Sequence, residues 1–335
     1  MKILYVGLQH TITVFRPGGV RETHFAPVNH IWETREAYGL SRLGHEVIYV
    51  SDFVPGIRDV DVVFCCVDIA LPLAHRYART LKQQPKLVCQ FISRLPDYKD
   101  PVWDEVRKLM PECHALTAVS PIVYESLVKW AEENGYSGPV ELTPHGVDVE
   151  LIDMVPDQGI GDVFTFVGAL YGHKKVDDLI RVFAELNNPR LIIVGNGPER
   201  EKLEYLAEHL NAPVEFLGAV DEHTKFLVIK KSRAVLSASI SEQFWIVGAE
   251  AMVAGRPVIA RYIKNLYDIY GDHITYYEEP SELKDLVELC LDMDEESIKE
   301  LGAVGREFIL KETDIPLKKR SKRLIELFEE VCKYG

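Results

Sequence analysis

Short apolar runs rich in β-branched residues alternate with longer amphipathic stretches along the whole 335-residue chain. Continuous apolar runs of this length are typical of strands in a parallel sheet that helices cover on both faces. The first half contains them at 3–6, 47–50, 62–66, 87–91, 115–119 and 140–142, and the second half at 164–167, 191–194, 214–217, 234–237, 258–259 and 274–276. The repeated strand–helix order predicts an α/β protein with two Rossmann-like, doubly wound parallel-sheet domains.

A segment rich in Pro, Gly and Asp separates the two halves at 144–161. Such composition marks a linker. We therefore predict a first domain over 1–156 and a second over 157–315. Open parallel sheets bind ligands beyond the carboxyl ends of their strands, so we expect the two domains to face a central cleft.

The charge and cysteine content narrow the class of protein. The chain carries 38 Lys and Arg against 52 Asp and Glu, a net charge of −14, which disfavours nucleic acid as a partner. Its six cysteines lie mostly within apolar runs and form no CxxC pair, as expected for reduced, buried thiols.

The first residues do not resemble a signal peptide, and no apolar run reaches the ~20 residues of a membrane helix. We expect a cytoplasmic protein whose membrane contact, if any, is peripheral.

The most informative segment is 239–260, which reads as strand, loop, helix, glycine turn and strand. Its loop places Glu242 at the mouth of the expected cleft. The helix begins near Phe244, Trp245 and Ile246, and its unpaired N–H groups suit a diphosphate. Glu250 lies one to two turns further on, where its carboxylate could accept hydrogen bonds from ribose hydroxyls.

The Glu-x7-Glu spacing of Glu242 and Glu250, with its trailing Glu-Ala-Met-Val-Ala-Gly-Arg-Pro-Val, resembles the retaining glycosyltransferases of family 4. Further segments resemble that family in the same order along the chain. They are Gly18-Gly19 followed by 43–47, the crossover 144–148, and the segments 166–177, 194–199 and 216–220.

This resemblance implies the B-type glycosyltransferase fold, with a final helix over 316–335 that packs back on the first domain. It also implies retaining, metal-independent transfer of a sugar from a nucleotide-diphosphate sugar, such as a UDP or GDP sugar, to a glycan or lipid-linked acceptor. No cofactor is implied. Because the final helix is basic and amphipathic, an alternative is that it contacts anionic lipid.

The resemblance also implies roles for individual residues. Lys174 would neutralise the donor phosphate and Glu242 would contact the donor sugar, which makes these two the catalytic candidates. The other donor-binding candidates are Glu250, Gly18, Gly19, Phe244, Trp245, Ile246, Gly195, Gly218 and Val220. Asp59-Val60-Asp61 matches a metal-binding pattern by letter, but we interpret it as a turn before a buried strand.

The chain departs from the family pattern near the donor site. Ala169 stands where the family has an arginine, and Arg256 and Arg261 are candidates to replace that charge. Trp245 replaces a glycine.

Two further departures concern the acceptor side. The histidine expected after the strand at 87–91 is absent, so Arg94 is a tentative cleft residue. His145, at the crossover, is another. The departures at both sites keep two alternatives open: a non-catalytic relative that binds sugar nucleotides, and a sugar-nucleotide epimerase on the same two-domain framework.

Overall fold

The computed structural model describes residues 1–8, 12–18, 20–23, 32–96, 100–186 and 189–334. The chain divides into two compact units, Met1–Gly146 with Asp314–Gly335, and Val147–Thr313. The first unit therefore ends at Gly146 and not at 156. The reason is that the short helix over 149–154 packs within the second unit, where Asp153 pairs with Arg306 at 2.9 Å.

The first unit is built on a mixed sheet. Within the described residues its strands lie in the order β3-β2-β4-β1-β5-β6-β7-β8. All neighbouring pairs from β4 to β8 in that order are parallel. The strands are β1 (Lys2–Val6), β2 (Ile12–Arg16), β3 (Val20–Thr23), β4 (Glu46–Val50), β5 (Val62–Cys65), β6 (Lys86–Phe91), β7 (Ala115–Ala118) and β8 (Val140–Leu142).

Five helices cover this sheet in the described part of the first unit. They are α1 (Trp32–Arg42), α2 (Leu71–Thr80), α3 (Pro101–Leu109), α4 (Pro121–Asn134) and, from the end of the chain, α13 (Leu317–Tyr334). Helix α13 packs against α1, and Phe328 meets Phe64 of β5 with ring centroids 5.3 Å apart. Its apolar face is thus buried in the first core.

The β2–β3 hairpin places Gly18 at an unexpected edge of the sheet. Strand β2 runs antiparallel to β4, with Ile12 opposite Val50 and Phe15 opposite Val47. The turn that contains Gly18 (φ +87°) therefore lies beyond the amino-terminal end of β4. Ligands of open α/β sheets bind at the other edge, at the carboxyl ends of the parallel strands. The predicted diphosphate role of Gly18 is corrected for this reason, and Gly19 lies outside the described residues.

The second unit is a wholly parallel sheet with the order β11-β10-β9-β12-β13-β14. Its strands are β9 (Val163–Val167), β10 (Arg190–Val194), β11 (Val214–Gly218), β12 (Ala234–Ser237), β13 (Val258–Arg261) and β14 (Thr275–Tyr277). Its helices in the described residues are α5 (Val149–Met154), α6 (Val176–Ala184), α7 (Arg200–His209), α8 (Glu222–Lys231), α9 (Ile246–Val253), α10 (Lys264–Tyr270), α11 (Pro280–Asp292) and α12 (Glu295–Glu312).

The strand order explains where a site can form in this unit. Strands β9 and β12 are neighbours in the sheet although three strand–helix crossovers separate them along the chain. The chain reverses its direction of winding between these two strands, and ligands of open α/β sheets bind at such a reversal. The loops that follow β9 and β12 are therefore the first place to look for functional side chains.

In the part of the chain that the structure describes, no helix is long and apolar enough to cross a membrane.

Candidate functional site

The loops after β9 and β12 bring a lysine and a glutamate into direct contact. Lys174 Nζ donates to Glu242 Oε1 at 2.5 Å, across 68 positions of sequence. The Lys174 and Glu242 side chains are 18% and 9% exposed, so the pair is largely shielded from water yet reachable. The backbone joins the same two loops, because Ile240 N donates to His173 O at 2.9 Å. The two predicted catalytic candidates therefore form one charged pair at the carboxyl edge of the sheet.

Helix α9 begins immediately beyond this pair. Trp245 occupies the N-cap position with φ +56° and ψ +65°, the left-handed conformation, and its ring packs on Gly248. Phe244 and Trp245 are buried, with 3% and 7% exposed, so they shape the loop and do not offer open faces to a ligand. Ile246 is the first helical residue. The first N–H groups of a helix lack intrahelical acceptors and attract anions.

The second glutamate of the motif is paired as well. Glu250 is 2% exposed, and both of its carboxylate oxygens lie 2.8 Å from Lys225 Nζ on α8. Lys225 also reaches Glu222 Oε1 at 3.1 Å. A carboxylate has about four lone-pair positions, more than one ammonium group occupies. Lys225 was not found from the sequence, although its place one turn after the Asp221 cap of α8 is a usable signal.

The turns after β9, β10 and β11 interlock beside this site. A Cβ on Gly195 (φ +134°) would lie 1.9 Å from Gly168 O, so only glycine fits there. Gly195 N also donates to Gly218 O at 2.8 Å. A Cβ on Gly218 would meet the Arg200 guanidinium at 2.9 Å, which places this arginine over the turn. Val220 is partly buried and packs against a small apolar cluster of Val163, Ile192 and Val194. These glycines shape the edge of the site by close backbone packing.

The two arginines considered as substitutes for the charge missing at Ala169 have different surroundings. Arg256 is 2% exposed; its Nη2 donates to both carboxylate oxygens of Asp157 at 2.9 Å, and its Nε donates to Lys230 O at 2.6 Å. It is therefore committed to internal contacts. Arg261 lies at the carboxyl end of β13 and pairs with Asp178 near the start of α6 at 2.5 Å. Of the two, Arg261 is the one at the edge where the candidate site lies.

Two buried polar atoms in the β12–α9 loop have no hydrogen-bond partner among the described residues. They are Ser239 Oγ and Gln243 Oε1. Ser239 is 1% exposed. Buried polar atoms normally form hydrogen bonds. Because these two atoms lie in a loop at the edge of the sheet, they are candidates to form hydrogen bonds with the polar groups of a ligand.

The tentative cleft residues of the first unit are placed differently from each other. Arg94 is exposed in the loop after β6 and lines a surface cavity of about 410 Å³ with Leu95, Arg107 and Trp130. His145 is 8% exposed, and its Nδ1 lies 3.3 Å from Glu36 Oε1 inside the unit. The tentative cleft role of His145 is corrected, because its ring is used in an internal contact.

A buried carboxylate holds the Arg94 loop in place. Asp68 is 1% exposed and accepts hydrogen bonds from the backbone N–H groups of Ile69, Ile92 and Ser93 at 2.8–3.0 Å. Burial raises the pKa of this carboxyl to about 6, while the three N–H groups act in the lowering direction.

This arrangement makes the stability of the protein depend on pH in a defined direction. The folded pKa of Asp68 is about 6 and its ordinary value is 3.8, so the folded protein retains a proton that the unfolded chain releases. The stabilising contribution is complete below pH 3.8 and is lost as the pH rises through 6. Relative to the non-titrating variant Asp68→Asn, the free energy of unfolding of the wild type should fall by about 2 kcal/mol between pH 4 and 7. Urea unfolding of both proteins across this range measures it, and a pH-independent difference contradicts it.

Among the described residues, no three His, Cys, Asp or Glu side chains are grouped so that they could hold a metal ion. Asp59 and Asp61 lie in the loop before β5, where Asp61 accepts from Lys2 N at 2.8 Å and Asp59 from Gln83 at 2.8 Å. They act as turn residues at the amino-terminal edge of the first sheet.

Parts of the chain are similar in sequence to known glycosyltransferases. Residues 158–308 match the family Glycosyl transferases group 1. An uncharacterized glycosyltransferase of Methanocaldococcus jannaschii is 32% identical over 49% of this chain and 47% of its own length. A phosphatidyl-myo-inositol mannosyltransferase of Mycobacterium leprae is 32% identical over 39% of this chain and 37% of its own length. Each of these matches spans less than half of the curated relative.

Solved structures resemble the chain over nearly its whole length. Anabaena HepE in complex with UDP and glucose has a TM-score of 0.74 at 15% identity, covering 98% of this chain and all of that one. Sucrose-phosphate synthase from Thermosynechococcus elongatus has a TM-score of 0.75 at 14% identity, with both chains fully covered. At these identities the likeness shows the fold. The chain has the two-domain B-type glycosyltransferase fold that the sequence predicts.

Proposed function

We propose that this chain, whose second unit carries a glycosyl transferases group 1 domain, transfers a sugar from a nucleotide-diphosphate sugar to a glycan or lipid-linked acceptor. The observation that carries the proposal is the Lys174–Glu242 pair at the carboxyl edge, beside the start of α9. UDP is the first donor nucleotide to test, because HepE, a structural neighbour, was solved with UDP and glucose.

The cation and the helix start suit a departing diphosphate. Lys174 Nζ supplies a positive charge in a largely shielded site, where charge-assisted contacts are strong. The first N–H groups of α9 supply further donors. Phosphate oxygens would replace Glu242 as the partner of Lys174, and this exchange frees Glu242 to accept from hydroxyls of the donor sugar. The pair is thus a resting arrangement that a donor opens, with sugar hydroxyls replacing the ammonium group as hydrogen-bond donors to Glu242.

Glu250 suits the ribose of the nucleotide. Its carboxylate is held by Lys225, which contacts both oxygens at 2.8 Å. A carboxylate accepts hydrogen bonds from hydroxyl groups, which is the contact that the ribose would make here.

The proposed reaction proceeds with retention and balances without a protein nucleophile. The bond between the anomeric carbon and the leaving phosphate oxygen breaks, and a bond from that carbon to an acceptor oxygen forms on the same face. The acceptor's proton passes to the departing phosphate oxygen. Lys174 and the α9 amides stabilise the charge that develops on the diphosphate.

A ligand screen followed by turnover tests this function. Thermal unfolding is recorded with UDP, GDP and ADP and their common sugars, with and without EDTA; a ligand that binds the folded state raises the melting temperature. We expect UDP to raise it, with no effect of EDTA. Release of UDP from UDP-sugars is then followed with sugar and lipid-linked acceptors.

The outcomes separate the proposal from its alternatives. Nucleotide binding without turnover on a broad acceptor panel indicates a non-catalytic binding relative. Isomerised UDP-sugar without an acceptor product indicates an epimerase. Absence of any shift contradicts nucleotide-sugar use.

The affinity for UDP should depend on Glu250 and much less on Glu222, although both carboxylates contact Lys225. Glu250→Ala removes the acceptor of two ribose hydroxyls, and we expect UDP to bind about 10- to 100-fold more weakly by calorimetry. Glu222→Ala is the matched control and should change the affinity by less than about threefold. Equal losses in both variants would mean that the effect arises from releasing Lys225 and not from ribose recognition.

A further inference from the structure

Helix α10 contacts four consecutive carbonyl groups of the loop that carries Glu242. Asn265 is 2% exposed, and its Nδ2 donates to Glu242 O at 3.0 Å and to Gln243 O at 2.6 Å. Tyr270 is fully buried, and its hydroxyl lies 3.0 Å from Phe244 O and 3.1 Å from Trp245 O. The Asn265 amide offers one proton to each of its two carbonyls, and the single Tyr270 proton is shared between the next two.

The loop needs such outside support because its backbone does not favour this shape by itself. Trp245 has φ +56°, a left-handed conformation that a large side chain adopts only when surrounding contacts impose it. Buried carbonyls also require donors. Gly248 N of α9 donates to Trp245 O at 3.0 Å, and two side chains of one seven-residue helix supply the further donors described above.

We propose that Asn265 and Tyr270 are positioning residues of the donor site. Asn265 sets the backbone that carries Glu242, and Tyr270 sets the turn that starts α9. This inference rests on the proposed function, since it assigns the two residues to the same site. Neither residue contacts the reacting atoms in this arrangement; each acts through the loop backbone.

The two residues hold different parts of the loop, so their losses should differ. Asn265→Ala disturbs the backbone at Glu242, and we expect kcat for transfer to fall about tenfold or more while the Kd for UDP changes by less than about twofold. Tyr270→Phe disturbs the start of α9, and we expect UDP to bind about fivefold more weakly. Asn265→Ser retains one donor and should fall between Asn265→Ala and the wild type.

Amide hydrogen exchange gives a readout that does not depend on activity. Peptides covering 239–249 should exchange about tenfold faster in Asn265→Ala and Tyr270→Phe than in the wild type, with peptides elsewhere in the second unit unchanged. Tyr267→Phe is the matched control: Tyr267 belongs to the same helix but is 40% exposed, and its replacement should leave exchange in 239–249 unchanged.

Two results would overturn this inference. One is unchanged exchange in 239–249 in the folded variants. The other is equal acceleration throughout the second unit, which would mean that the residues only stabilise the domain. If Asn265→Ala does not fold, Asn265→Ser and Tyr270→Phe still decide between these outcomes. A wild type that neither binds UDP nor transfers sugar contradicts the proposed function, whereas the exchange data still report whether α10 shapes the loop.

Discussion

Replacing Lys174 by methionine should lower kcat for sugar transfer by about 100- to 1000-fold, the scale on which one preorganised charge contact acts in an enclosed site. The substitution keeps the aliphatic stem and removes the charge that lies 2.5 Å from Glu242. It also leaves Glu242, 9% exposed, without its cation. We expect the UDP-induced rise in melting temperature to shrink in parallel. Steady-state kinetics and thermal unfolding measure both effects.

Lys202→Met is the control that distinguishes the loss of a charge at the site from the loss of a charge elsewhere in the second unit. Lys202 also forms an ion pair within the second unit, with Glu199 at 2.8 Å, but its side chain is 75% exposed. The control removes the same charge and should leave kcat within about twofold of the wild type, because exposed pairs contribute little. Similar losses in both variants would remove Lys174 from the catalytic machinery.

Replacing Arg320 by methionine should destabilise the first unit by about 3–5 kcal/mol, because it leaves a buried carboxylate without its cation. Arg320 and Glu36 are both fully buried, with Nη2 and Oε2 3.0 Å apart. The Arg320 guanidinium also donates to Pro144 O at 2.6 Å and to Gln90. Glu36 accepts from Tyr5 at 2.7 Å. This network attaches the last helix and the end of the first chain segment to the first sheet.

The ionisation of Glu36 depends on that network. Burial by itself would raise the pKa of Glu36, but the charge of Arg320 and the hydrogen bonds from His145 and Tyr5 lower it below its usual value. Without Arg320 the effect of burial dominates. The unfolding transition of the first unit should then move down by about 10 °C.

Two further variants test the cause of this loss. Arg323→Met, on the same helix, removes an arginine that is 46% exposed and pairs with Glu141 at 3.0 Å, and it should cost less than about 1 kcal/mol. Adding Glu36→Leu to Arg320→Met removes the stranded charge and should recover part of the stability. Thermal and urea unfolding of the three proteins provide the measurement. Equal losses for Arg320→Met and Arg323→Met would contradict a buried-charge mechanism.

The architecture could be predicted from the sequence because it depends on local patterns. Apolar runs of two to five residues predict the twelve strands β1 and β4–β14, and the ends of each run lie within two residues of the ends of its strand. The hairpin at β2 and β3 was not predicted. Its residues, ITVFR and VRET, contain no run of more than two apolar side chains. As a consequence, Gly18 was assigned to the wrong edge of the sheet.

The site could be predicted only in part, because its pairs join residues far apart in the sequence. Glu242 and Glu250 were found through their spacing on one loop and helix, and Lys174 through its motif. Their partners were not: Lys225 lies 25 positions from Glu250, and Asn265 lies 23 positions from Glu242. Asn265 belongs to no pattern that the sequence alone distinguishes from an ordinary helix, and the signal for Lys225 is its place one turn after the Asp221 cap of α8.

The sequence by itself determined which segments become strands and helices and which loops follow the parallel strands, since hydrophobic periodicity and turn residues act locally. Only the tertiary structure decided which charges meet. It pairs Lys174 with Glu242 and Lys225 with Glu250. It places Arg256 and His145 in internal contacts. It also brings α10 into contact with the loop that carries Glu242. The physical reason is that a charged or polar group acts on the groups that are near it in space. Those neighbours follow from the order of the strands in the sheet: because β9 lies beside β12, the loops that follow these two strands meet.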